Sequence, residues 1–266
     1  SPIFVSQHNP TTIYFASQRV WKSDNRGDNW EPISADLTKN EERFALPIMG
    51  RVQSIDNAWD VYAMSTYNTI TSLAESKIDP NVLYAGTDDG IIQYTKNGGQ
   101  NWTKMTVDQL PKTPSSAFVN DIKTDLFNVS SAYVCLDNHK FGDYKPYLFK
   151  TTDGGKSWKS ITSGLPEKIL VWRLVQDHIN PNLLFLGTEY GVYVSLNQGE
   201  KWHKFSNGLP TIPVRDLTIQ RRENDLVLAT FGRSFYVLDD FSPLRNFSEE
   251  KLNKDVLFEP RKALQY

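Results

Sequence analysis

Four short segments share one pattern, Ser/Thr-x-Asp/Asn-x-Gly-x-x-Trp, and that repetition restricts the possible folds more than any other feature of the chain. The copies run from Ser23 to Trp30, Thr95 to Trp102, Thr151 to Trp158 and Ser195 to Trp202, with successive tryptophans 72, 56 and 44 residues apart. Spacings of this size mark an array of supersecondary units rather than a single hairpin motif. The residue types explain the pattern. A hydroxyl and an Asn/Asp side chain two residues on bond nearby backbone groups and hold a tight loop. Glycine supplies a positive φ without steric cost. The tryptophan then opens a strand and drops a large apolar ring between sheets, where its N–H needs an acceptor. These residues read as fold-forming hairpin tips rather than as members of an active site, and all four tryptophans are expected to be largely buried.

Strand-forming runs recur around each turn. Residues 70–76, 82–87 and 91–95 are short β-branched or aromatic stretches separated by Asp79-Pro80-Asn81 and Asp88-Asp89-Gly90. A later copy reads 171–176, Asn180-Pro181-Asn182, 183–188, Glu189-Tyr190-Gly191 and 192–195. The first copy places Asn9-Pro10-Thr11 before 13–17, and the third consists of 119–124, 132–136 and 147–150. A fifth unit, 214–220, 226–230 and 234–238, keeps the strands but replaces the repeated turn with Asp239-Asp240-Phe241-Ser242-Pro243. Three strands plus a fourth starting at each tryptophan make a four-stranded antiparallel meander. A radial array of such meanders is an all-β propeller, here with about five blades. Residues 1–245 are assigned to blades, with an insertion at 35–68 that includes Trp59-Asp60-Val61-Tyr62. Residues 246–266 form a tail in which 255–258 is a candidate closing strand. Because the first unit starts at the chain terminus with barely one inner strand, five blades are expected to be part of a larger ring. The exposed blade edge is then completed by the rest of the propeller or by another polypeptide.

Composition removes several function classes. Lysine and arginine number 29 against 31 acids, so the basic excess of a nucleic-acid binder is missing. The only cysteine, Cys135, excludes an internal disulfide framework and a Cys-rich zinc site, and reads as a small buried strand residue. His8, His139, His178 and His203 lack metal-ligand spacing, so no metal is expected. Neither a Gly-x-Gly-x-x-Gly motif nor a P-loop is present, and no cofactor is expected. No apolar run approaches the roughly 20 residues that span a bilayer. The opening Ser1-Pro2-Ile3, without an initiator methionine or a charged-then-apolar leader, reads as a mature fragment with any export signal outside it.

The four repeated turns resemble the Asp-box, or BNR, repeats of bacterial sialidases, of two-propeller xyloglucan-active hydrolases and of the sortilin-type ectodomain. The resemblance covers roughly residues 1–245, and the chain is most similar to large exported bacterial proteins with a sortilin-like, glycosyl-hydrolase-like repeat region. The stretch from Phe231-Gly232-Arg233-Ser234 to Leu238-Asp239-Asp240 resembles the closing blade of such a protein. The resemblance implies a secreted, periplasmic or cell-surface location and further blades upstream. It leaves function open, because the repeat marks the fold rather than the chemistry.

In a four-stranded meander the repeated turns and the Asx-Pro turns share one face of the propeller, the bottom. The opposite, top face collects Asp88, Asp89, Asp137, Asn138, His139, Lys140, Glu189, Tyr190 and Arg233 from second-to-third turns. It also collects Asn120, Asp121, Trp172, Arg173, Arg215 and Asp216 from the starts of inner strands, which converge on the axis. Trp172, Arg173, Arg215 and Arg233 are the candidate anchors for a protein or polysaccharide ligand. Each also has a plain structural reading: the arginines pair with neighbouring acids and the tryptophan packs in the core. Glycoside hydrolysis is the competing function and needs two flanking carboxylates, for which Asp88, Glu189 and Asp216 are the candidates. No Arg-Ile-Pro segment or arginine triad with a tyrosine nucleophile supports a sialidase. The sequence therefore favours a non-catalytic binding module.

Overall fold

A computed structural model describes residues 1–42, 45–48, 51–52, 67–206, 208–252 and 254–258. Its strands form five antiparallel sheets arranged as a β-propeller. The first blade contains β1 (Ile3–Val5), β2 (Ile13–Ala16), β3 (Val20–Ser23) and β4 (Glu31–Pro32). A small hairpin, β5 (Pro47–Ile48) with β6 (Arg51–Val52), lies in the insertion, and Trp59-Asp60-Val61-Tyr62 lies outside the described residues. The second blade comprises β7 (Ile70–Glu75), β8 (Leu83–Thr87), β9 (Ile91–Thr95) and β10 (Thr103–Thr106). The third has β11 (Phe118–Thr124), β12 (Ala132–Asn138), β13 (Asp143–Thr151) and β14 (Lys159–Ser160). The fourth has β15 (Val171–Gln176), β16 (Leu184–Thr188), β17 (Gly191–Ser195) and β18 (His203–Phe205).

The fifth blade has three strands: β19 (Val214–Gln220), β20 (Asp225–Thr230) and β21 (Phe235–Leu238). Among the described residues the chain does not turn back into a fourth. Instead Phe241, 1% exposed, inserts against Phe185 of blade four with ring centroids 5.2 Å apart. Arg245 then forms a two-pronged pair with the fully buried Asp177, at 2.7 and 2.8 Å. These anchors hold the tail beneath blade four, and residues 255–258 form no strand.

The four repeated turns have one geometry. In each, the first hydroxyl donates to the Asn/Asp carboxyl or amide oxygen at 2.8–2.9 Å and accepts the glycine N–H. The Asn/Asp oxygen in turn accepts the N–H just before the tryptophan. Each turn also donates a backbone N–H to the first-to-second loop of its own blade, as in Gly98 to Asn81 and Gln198 to Asn182. Both sets of loops thus share the bottom face.

Blades seal through those tryptophans. Trp102 Nε1 donates to Ile33 O of blade one at 3.0 Å, and Trp202 Nε1 donates to Ile161 O of blade three at 2.7 Å. Gly99 sits so close to the preceding blade that an added Cβ would lie 2.5 Å from Ile33 O. Trp158 and Trp202 are buried, at 8% and 1% exposure, and Trp102 is half-buried. Trp30 departs from the expectation. It is 37% exposed: its ring contact is with the edge of Phe15 of its own blade, and among the described residues it makes no hydrogen bond to another blade. Ile3 and Val5 on that outward face, and Phe235 and Val237 on the outward face of blade five, are more than half exposed. The first and last sheets therefore leave apolar faces uncovered. All five inner strands nevertheless converge: Phe4, Leu73, Thr124, Leu174 and Thr218 line one axial cavity of about 330 Å³.

Candidate functional site

A β-bulge recurs at the same point in four inner strands. The register slips between Ile70 and Ser72, Val119 and Asp121, Val171 and Arg173, and Val214 and Asp216. The extra residues are Thr71, Asn120, Trp172 and Arg215. A bulge re-aims the side chain it carries and commonly sits beside a functional site. Here it carries four side chains of different chemistry at the top of the propeller, and the first three reach the next blade. Thr71 Oγ1 donates to Val119 O at 2.5 Å, and Asn120 Nδ2 donates to Val171 O at 2.9 Å. Trp172 meets Arg215, whose guanidinium carbon lies 3.9 Å from the indole centroid.

The residues immediately after the bulges make a second chain of contacts at the axial mouth. Ser72 Oγ donates to Asp121 Oδ1 at 3.3 Å, and Arg173 Nη1 donates to the same carboxylate at 2.9 Å. Lys123 lies 3.4 Å from it and the Leu174 N–H bonds its other oxygen, which pins a carboxylate only 1% exposed. Arg173 Nε lies 3.8 Å from Asp216, which is 66% exposed. Thr71, Ser72, Asp121, Arg173 and Asp216 border a cavity of about 340 Å³ between the inner strands.

Outside this mouth, Asp137 is fully buried and orients His139, with Nδ1 to Oδ1 at 2.5 Å. Asn120 Nδ2 donates to the other oxygen of Asp137 at 2.8 Å. His139 packs edge-on to Phe118 and to Trp172, both with centroids 6.1 Å apart. The Arg215 guanidinium also lies 5.9 Å from the ring of Phe231, which is 71% exposed.

The structure thus brings together Trp172, Arg173, Arg215 and Asp216. Trp172 is 9% exposed beneath Arg215, so its face is covered by the cation. Arg233 is exposed in the second-to-third turn of blade five and shares no hydrogen bond, ion pair or ring contact with the others. Asp88 sits apart, over blade two. It accepts the Thr69 N–H at 2.8 Å, and burial, reinforced by the neighbouring Asp89, pushes its pKa up to about 6. Glu189 is half-buried in its turn, and among the described residues no hydrogen bond or ion pair links Asp88, Glu189 and Asp216. Sequence reasoning placed Asp121 and His139 on this face but gave neither a role, and it passed over Phe118 and Phe231. The available signals were an aromatic opening an inner strand, Phe118, and one opening a second-to-third turn, Phe231.

The chain matches no protein-family model and no curated protein. Solved structures are similar in fold. An ancestral GH74 enzyme superposes with a TM-score of 0.62 at 18% identity, over 86% of this chain and 27% of that one. The GH74 xyloglucanase from Xanthomonas campestris gives 0.58 at 12% identity, over 86% and 33%. An extracellular domain from B. thetaiotaomicron gives 0.54 at 16% identity, over 85% and 26%. This chain spans about a quarter to a third of the length of those three proteins, and at such identities the likeness shows a β-propeller fold.

Proposed function

We propose that the chain is part of an extracytoplasmic, Asp-box-type propeller that binds a protein or polysaccharide on its top face without catalysis. The observation that carries this reading is the Arg215–Trp172 stack, held on two successive bulges at the start of neighbouring inner strands. Contact with the indole restrains the guanidinium while Arg215 stays exposed to solvent, so less ordering is left for a ligand to impose. Arginine and tryptophan are also the types that most often dominate binding energy when desolvated. Arg173, tied to Asp121 and Asp216, frames the mouth, and Arg233 extends the cationic rim. Extracellular and glycoside-hydrolase neighbours support an exported setting. The uncovered faces of the first and fifth blades are read as seats for further blades or for another polypeptide.

Glycoside hydrolysis is the second reading, favoured by the raised pKa of Asp88, a property of a general acid. It still requires a second carboxylate about 5–9.5 Å away. A panel of plant, microbial and sialylated polysaccharides separates the two. Binding without turnover, lost in Arg215→Ala, is the expected result. Turnover that disappears in two of Asp88→Asn, Glu189→Gln and Asp216→Asn would refute the binding-only reading.

A further inference from the structure

An unbroken line of ring and cation contacts crosses the top of three blades. Lys140 Nζ lies 5.1 Å from the Phe118 centroid, Phe118 meets His139, His139 meets Trp172, Trp172 is capped by Arg215, and Arg215 approaches Phe231. Lys140 and Arg215 bracket the consecutive rings of Phe118, His139 and Trp172, and the two ends of the line, Lys140 and Phe231, are exposed. The acids near it are engaged in different degrees. Asp137 is held by His139 and Asn120, while Asp216 is approached by Arg173. Asp88 lies within Coulombic reach of Lys140. By contrast, Lys140, Arg215 and Arg233 form no ion pair among the described residues. Lys140 and Arg215 therefore keep their cationic capacity on the aromatic line itself.

A second observation lies at the centre of the line, where one of the five buried side-chain polar atoms without a partner among the described residues is found. The indole N–H of Trp172, a side chain nine-tenths buried under Arg215, has no acceptor. Buried donors in folded proteins are nearly always paired, and those that are not call for a missing partner.

We infer that this line binds a carboxylated polysaccharide, a deeper form of the binding-module reading above, on which it rests. A uronic-acid residue offers the matching chemistry. Its C–H face packs on an exposed ring such as Phe231. Its carboxylate takes the paired N–H groups of an arginine already restrained by its indole contact. A line of contacts spanning three blades suits a polymer in which ring and charge repeat, whereas an acidic peptide would use the cations without needing the rings.

The test uses the full-length protein and three probes, polygalacturonate, alginate and hyaluronan, each beside its carboxyl-reduced neutral form, with poly-glutamate as the acidic-peptide control. Calorimetry is expected to show binding to at least one carboxylated probe, weakening as NaCl is raised. Binding should fall about tenfold or more on carboxyl reduction and in Arg215→Ala, and several-fold in Phe231→Ala and Lys140→Ala. Lys77→Ala, on the bottom face, should bind as wild type, and thermal melts confirm that each variant is folded. Equal affinity for the neutral forms would overturn the inference, as would poly-glutamate binding of the same strength insensitive to Phe231→Ala. If a neutral glycan or a protein binds instead and is lost in Arg215→Ala, the binding-module reading stands and the acidic-glycan inference falls. If no probe or partner is affected by top-face variants, both fall.

Discussion

Trp30 and Trp202 occupy the same position of the same turn, yet one is 37% exposed and the other 1%. Comparing their alanine variants isolates what a neighbouring blade contributes. A tryptophan carries up to about 250 Å² of surface, so the difference in burial is roughly 90 Å², or about 2 kcal/mol at 25 cal/mol/Å². Trp202→Ala also leaves Ile161 O without its 2.7 Å donor, a further loss of about 1–3 kcal/mol. Trp202→Ala should therefore fall in the range of about 3–5 kcal/mol typical of large buried aromatics, with Trp30→Ala some 3 kcal/mol milder. Urea unfolding of the two variants and wild type in one buffer reads the difference as a shift in midpoint at constant m-value. Equal losses would refute the argument, since they would mean that the preceding blade contributes nothing to the tryptophan it covers.

Other expectations follow from the same contacts. Arg245→Ala takes the guanidinium from the buried Asp177 carboxylate, leaving it the Asn180 N–H and the nearby His178, and should cost up to about 3–5 kcal/mol, much of it recovered by adding Asp177→Asn, as a double-mutant cycle in urea would show. Asp88 has a folded pKa above its unfolded one, so its ionisation opposes folding: the penalty is absent below about pH 4 and complete above about pH 6. Asp88→Asn should thus raise Tm at pH 7 and leave it nearly unchanged at pH 4, and a gain independent of pH would exclude that origin. Cys135 is 1% exposed and burial pushes its thiol pKa up. It should resist a thiol reagent in native buffer and react on unfolding.

Much of the fold was legible because its signals are local. The hydroxyl, Asx and glycine of each turn dictate their own hydrogen bonds, and alternating apolar runs between Asx-Pro and Gly turns placed most strand boundaries within two residues. What was hidden depends on neighbours. Nothing within the first copy distinguishes Trp30 from Trp202, because exposure is decided by the sheet on the far side. Among the described residues the fifth blade has no fourth strand, and Phe241 and Arg245 find partners on blade four instead, contacts made far along the chain. For the site, the inner-strand starts placed Trp172, Arg173, Arg215 and Asp216 in one region, where Arg173 and Asp216 border the axial mouth and Arg215 covers Trp172 beside it. The bulges that turn Trp172 and Arg215 one way and Arg173 and Asp216 another change the two-residue alternation by one, and strand periodicity cannot locate such a slip. Arg173 accordingly emerged as the partner of the buried Asp121 rather than as a free anchor.

Hydrogen–deuterium exchange on the full-length protein, with and without a bound partner, tests most directly whether the top face is the binding surface. The account predicts new protection at inner-strand starts and second-to-third turns, around Asn120, His139, Trp172, Arg215 and Arg233, with the bottom turns at Asn81, Ser130 and Asn182 unchanged. Protection confined to those bottom turns, with the Trp172–Arg215 segment exchanging as in the free protein, would contradict it.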